Sequence, residues 1–182
     1  MIGRQGPLVV IGVGSVLRSD DGVGVHVIED LRGRAARDPH LLPEGTELVD
    51  GGTLGLDLLR VLPGSRGLLL VDALCLGAAA GTVSVLRGDA ILAACGTRDG
   101  RASGAVGELL AFARLMDWLP SAVALVGIEA ADIAPGTILS PAVDGALPAA
   151  IDAAIDELRR MDGLPTTGMQ GGVATGMAGT TA

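Results

Sequence analysis

The stretch "VVIGVGSVLRSDDGVGVHVIEDL", residues 9–31, decides how the chain is read. Its opening apolar run, with Leu8 ahead of it, has the uninterrupted β-branched character of a strand buried on both faces. Two adjacent acids follow, Asp20 and Asp21, and then Val23, Val27, Ile28 and Leu31 recur with the period of a helix that runs to about Arg32. Ser19 is the expected N-cap, and acids suit the positive end of the helix that follows it. Strand, glycine-rich turn and helix in this order also open a dinucleotide-binding unit. Here Gly12 and Gly14 supply the first two glycines of that fingerprint, but Leu17 stands at the third. Carboxylates beside a pyrophosphate would repel it. The acids need another explanation.

Outward from this stretch, apolar runs and helical patterns alternate. "TELVDGG" (46–52) reads as a strand ending in a turn, and "TLGLDLLRVL" (53–62) as a helix. "GLLLVDAL" (67–74) is a third strand, with Asp72 near its carboxyl end, and "GTVSVLRG" (81–88) alternates like an edge strand. Residues 89–104 combine a short apolar piece with a Gly/Arg/Asp loop. A helix over 105–116, a buried strand over 122–129 and a long helix over 140–161 complete the pattern, with Pro148 expected to bend or break the last helix. The sequence therefore predicts an α/β fold: one three-layer domain over 1–163, with a twisted, mostly parallel sheet flanked by helices on both faces. The remainder, 164–182, is a Gly/Thr/Ala-rich tail without periodicity and is expected to be disordered.

Composition narrows the function. The net charge is −8, and all 13 basic residues are Arg. No basic stripe is available to replace counterions on phosphates, so nucleic acid is not an expected partner. No apolar run reaches the length of a membrane span and the start lacks a secretory signal, so the expectation is a cytoplasmic protein without a membrane partner. Cys75 and Cys95 fit no disulfide framework or zinc spacing and read as small buried or half-buried residues.

In parallel sheets, ligands gather outside the carboxyl ends of the strands. Asp20 and Asp21 follow the first strand, Asp50 ends the second and Asp72 the third. Asp20 and Asp21 cannot form a proton-sharing dyad with each other, because helical neighbours point about 100° apart. A dyad of Asp21 with Asp72 is geometrically possible, and carboxylates converging from separate strand ends also suit a divalent cation. Asp20 reads more simply as a cap and Asp50 as a turn residue. Asp72, at the end of an apolar strand, needs a partner to offset its desolvation.

Taken together, "GVGSVLRSDDGVGVHVIEDL", "LVDGGTLGLDLL", "LLLVDAL", "GTVSVLRGD" and "VALVGIEAADIAPGTILSPAV" resemble the hydrogenase maturation endopeptidases, in the family's order and over about residues 8–160. The resemblance implies a protease that removes the C-terminal extension of a nickel–iron hydrogenase large-subunit precursor once nickel is in place. It also implies a metal-recognition site in which Asp21 and Asp72 serve as both metal ligands and catalytic residues. The family's third ligand, a histidine, belongs just before the helix that begins near residue 105, where this chain has "TRDGRASGAVGELL" and no histidine. Asp99 and Cys95 are the candidate replacements. His26 lies five residues beyond Asp21, about 140° around the same helix, and is expected to face solvent and pair with Asp30. His40 sits in a loop. Without the histidine, the two carboxylates suit harder cations, and nickel would be supplied by or shared with the precursor. The contrasting reading is a non-proteolytic chaperone or docking protein for hydrogenase assembly.

Overall fold

The computed structural model describes residues 6–95, 97–98, 101–102, 104–164 and 166. Strand β1 (Leu8–Val13) leads through a short 3-10 turn (Ser19–Gly22) into helix α1 (Val23–Arg37). Strand β2 (Thr46–Gly52), a 3-10 segment (Gly55–Val61), strand β3 (Gly67–Leu74) and strand β4 (Val83–Arg87) follow. Next come the short helix α2 (Asp89–Ala94), the two-residue strands β5 (Thr97–Arg98) and β6 (Arg101–Ala102), helix α3 (Ala105–Leu115), strand β7 (Ala122–Glu129) and helix α4 (Pro141–Met161).

The main sheet has the order β2-β1-β3-β7-β4. All its pairings are parallel except β4 against β7, so the edge strand inferred from alternation is antiparallel. Side chains of each central strand alternate between two apolar layers. Leu8, Val10, Leu69, Val71 and Val126 pack with Ile28 and Leu31 of α1 and Ile151 and Leu158 of α4. Val9, Ile11, Leu68, Leu70 and Leu125 face the other way, onto Leu58, Ile91, Leu109 and Leu110. The three-layer α/β domain predicted from the sequence is the observed one.

Four local expectations are corrected. The segment after β2 is 3-10 over Gly55–Val61 rather than an α-helix. Helix α1 extends to Arg37, past Arg32. Ser19 is not an N-cap: its φ is +50°, and its hydroxyl donates to the carbonyl of Ala134 at 3.1 Å. Helix α4 runs unbroken through Pro148. Pro148 is exposed, while the buried stripe of Ala146, Ala150, Ile151, Ala154 and Leu158 stays intact. The expected tail falls almost wholly outside the described residues.

Among the described residues, no helix is long and apolar enough to cross a membrane.

Candidate active site

Strands β1 and β3 are neighbours, but the chain leaves them in opposite directions across the sheet, β1 toward β2 and β3 toward β7 and β4. A crevice opens at such a switch point, at the carboxyl ends of the strands. The glycines of the opening motif bring the chain tightly around it. Gly14 has φ +117°, and a β-carbon there would sit 1.7 Å from the carbonyl oxygen of Asp21. A β-carbon on Gly24 would lie 2.4 Å from the carbonyl oxygens of both Val13 and Val71. These glycines therefore seat the start of α1 against the ends of β1 and β3.

This seating parts the two adjacent acids. Asp20 is fully buried. One of its oxygens accepts the N–H of Ser140 at 2.6 Å, and the other accepts from Ala131 N, Asp132 N and the Ser140 hydroxyl at 2.8, 2.9 and 2.9 Å. Burial pushes its pKa up, but these bonds outweigh it and hold the carboxyl below its ordinary value. Asp20 is thus neither a ligand nor the cap of its own helix. It ties the loop after β7 and the N-terminus of α4 to the turn after β1.

Asp21 turns toward β3. One carboxylate oxygen accepts the N–H of Ser15 at 2.8 Å. Asp72, in the adjacent strand end, accepts the N–H of its neighbour Ala73 at 2.8 Å. Burial raises the Asp72 carboxyl to about 7; the Ala73 bond opposes the shift and the nearby charge of Asp21 adds to it. Asp21 and Asp72 thus stand at the ends of neighbouring strands, near enough for the charge of Asp21 to act on Asp72.

Around the pair, Glu129 is buried at the end of β7 and gathers the N–H groups of Leu76, Gly77 and Ala78 at 2.8, 2.7 and 3.2 Å. It fixes the loop that follows β3. Cys75, in that loop, is exposed rather than buried as its residue type suggested. Partial burial and then the charges of Glu129, Asp21 and Asp72 push its thiol up, which keeps it protonated at neutrality and a poor nucleophile. Cys95 is half-buried, and burial followed by the charge of Asp72 raises its thiol as well. Nothing in the sequence around Cys75 signals its position, because the strand ends that surround it are distant in the chain.

Asp50 is exposed at the end of β2. His26 pairs with Glu29 at 4.0 Å and not with Asp30, which instead meets Arg34 at 3.5 Å. His40 is exposed. Asp99 lies outside the described residues. Among the described residues, no group of three or more His, Cys, Asp or Glu side chains converges to hold a metal ion.

The hydrogenase maturation protease family profile matches residues 25–157. The chain is 34% identical to the hydrogenase expression/formation protein HupD of Rhodobacter capsulatus, over 84% of this chain and 71% of that one. This chain belongs to the hydrogenase maturation protease family. The hydrogenase 2 maturation protease of Escherichia coli K12 is 28% identical, over 84% of this chain and 90% of its own. The solved structure of the hydrogenase maturating endopeptidase HybD from E. coli superposes with a TM-score of 0.74 at 27% identity, covering 86% of this chain and 94% of that one. A family of proteases with the same sheet makes this chain an endopeptidase and disfavours the non-proteolytic alternative.

Proposed function

We propose that this maturation protease removes the C-terminal extension of a nickel–iron hydrogenase large-subunit precursor, and that Asp21 and Asp72 are the residues that engage the nickel the precursor carries. The observation that carries the reading is the placement of these two carboxylates at the carboxyl ends of the neighbouring parallel strands β1 and β3, at the switch point of the sheet. Burial first, and the charge of Asp21 in addition, raise the Asp72 carboxyl to about 7, so that it holds a proton for part of the time at neutrality. A divalent cation offered to the crevice displaces that proton and relieves the repulsion. With two carboxylates and no convergent third donor among the described residues, the pair suits a metal that arrives with its remaining ligands from the precursor.

In this reading the chain's residues bind and orient. Asp21, fixed by Ser15 N–H, and Asp72, fixed by Ala73 N–H, dock the metal and so set the scissile segment in the crevice. Nickel supplies Lewis acidity toward the scissile peptide. Asp50 and the glycines beside it shape the neighbouring wall. The protonated Cys75 argues against a thiolate protease. A cytoplasmic site of action belongs to the same reading.

The test is incubation of nickel-loaded precursor with the wild type and with Asp21→Asn and Asp72→Asn, with release of the extension followed by mass spectrometry. Wild type cuts, and each substitution slows cutting on the order of a hundredfold or more. Uncut precursor with the wild type removes the reading.

A further inference from the structure

The large exposed hydrophobic residues of the described chain fall mainly into two groups. One, Phe112, Leu115 and Met116, lies at the end of α3. The other lies on the loops and the 3-10 turn that leave the carboxyl ends of β1, β2, β3 and β7, the same end of the sheet as Asp21 and Asp72: Leu17, Leu54, Leu56, Leu76, Ile133 and Ile138. Single exposed leucines are ordinary. What separates the second group is how firmly several of its members are held.

Leu17 and Ile138, 66% and 81% exposed, sit on loops cross-tied to one another. Arg18 and Gly136 form a parallel β-bridge, Gly136 N–H donates to the Leu17 carbonyl at 3.0 Å, and Ser19 N–H donates to the Gly136 carbonyl at 3.0 Å. Ser19 occupies a positive φ to make this junction. Beneath it the fully buried Asp20 gathers Ala131, Asp132 and Ser140. Glu129, also buried, does the same for the Leu76 loop. Two buried carboxylates and a strained serine thus fix side chains that contribute nothing to the core. A surface ordered in advance loses less entropy on binding and gains affinity from it.

We propose that this rim is a preformed docking surface for an apolar, non-acidic stretch of the precursor chain beside the cleavage point, with Leu17, Leu76 and Ile138 as its anchors. The proposal rests on the precursor reading above and adds to it the chemistry by which the peptide is recognised. Leu17 and Leu76 each lie four positions along the chain from Asp21 and Asp72, on the loops at the same strand ends, which makes the occupant the chain being cut. Charge sets the second condition: Asp21, Asp50 and Asp132 stand at this end against Arg18, so an acidic stretch is repelled, a neutral one is tolerated and a basic one is drawn in.

The test compares three full-length proteins: wild type, Leu17→Ser with Ile138→Ser, and Phe112→Ser with Leu115→Ser. All the replaced side chains are at least two-fifths exposed, so melting temperatures stay together. With nickel-loaded precursor, the rim variant raises KM on the order of tenfold or more and leaves kcat within about threefold, while the α3 variant matches the wild type. Binding of precursor to immobilised protein, read without cleavage, weakens in the same proportion. Unchanged KM and binding in the rim variant, or a larger loss in the α3 variant, overturns the proposal. A wild type that binds precursor without cutting it defeats the protease reading instead, and the rim is then judged by the binding arm alone.

Discussion

Asp21 and Asp72, 51 positions apart in sequence, stand at the ends of the neighbouring strands β1 and β3, and the charge of Asp21 adds to burial in lifting the Asp72 carboxyl to about 7. Asp20, one residue from Asp21, points away from this pair into a separate nest of hydrogen-bond donors. Adjacent acids in one motif therefore do different work, one for the site and one for the frame around it.

The frame makes a pH-dependent contribution. The folded-state pKa of Asp20 lies below its ordinary value, so its stabilisation is present above the unfolded carboxylate pKa of about 3.9 and is lost as pH falls through the folded value. Asp20→Asn keeps the shape but puts an amide N–H₂ among donors, and costs about 1–3 kcal/mol at pH 7. Urea unfolding at pH 7 and pH 3 measures this: the gap between wild type and variant narrows at the lower pH. An equal gap at both contradicts the role.

The close seating of α1 predicts a steric outcome. A methyl group on Gly24 meets two strand carbonyls at 2.4 Å, both of them backbone. Gly24→Ala loses stability on the order of 2 kcal/mol or more, although alanine is the better helix former. A chemical denaturation midpoint equal to that of the wild type shows that the helix can shift without cost.

A second polar tie fixes α4 to the edge strand. Glu157 is 2% exposed and is gripped by Arg87 and Arg160, whose side chains are 49% and 46% exposed. Those two bonds depress the Glu157 carboxyl despite its burial. Removing both arginines strands a buried carboxylate, whereas removing the acid leaves cations that water can reach. Arg87→Ala with Arg160→Ala is therefore more destabilising than Glu157→Gln in thermal unfolding. The reverse order contradicts this reading.

Much of the frame is legible in the sequence because the central strands are continuous apolar runs whose burial leaves little choice. β7 covers the predicted residues 122–129, and Asp72 stands at a strand end as inferred. Local features are read less well where tertiary partners decide. Ser19 has the residue type of a cap, but a loop more than a hundred positions away claims its hydroxyl. Pro148 breaks no helix because it falls on the exposed face. Asp20 and Asp21 look alike in sequence, and only the folded loop after β7 separates them. The exposure of Cys75 and its closeness to three carboxylates arise the same way.

Nickel affinity follows from the donor count. With Asp21 and Asp72 as the only proposed donors and no three-donor group among the described residues, the isolated protein binds nickel weakly or not at all. Calorimetric titration at micromolar protein gives no stoichiometric step. A tight one-to-one isotherm shows that the chain completes the coordination sphere itself.

The most direct measurement is the titration of the Asp72 carboxyl carbon by NMR in metal-free protein, in the wild type and in Asp21→Asn. The wild-type midpoint lies near 7, and it falls when the charge of Asp21 is removed, while burial alone still holds it above an ordinary aspartate. A midpoint that ignores the loss of Asp21, or that lies at the ordinary value in both proteins, means that the two carboxylates do not share one site.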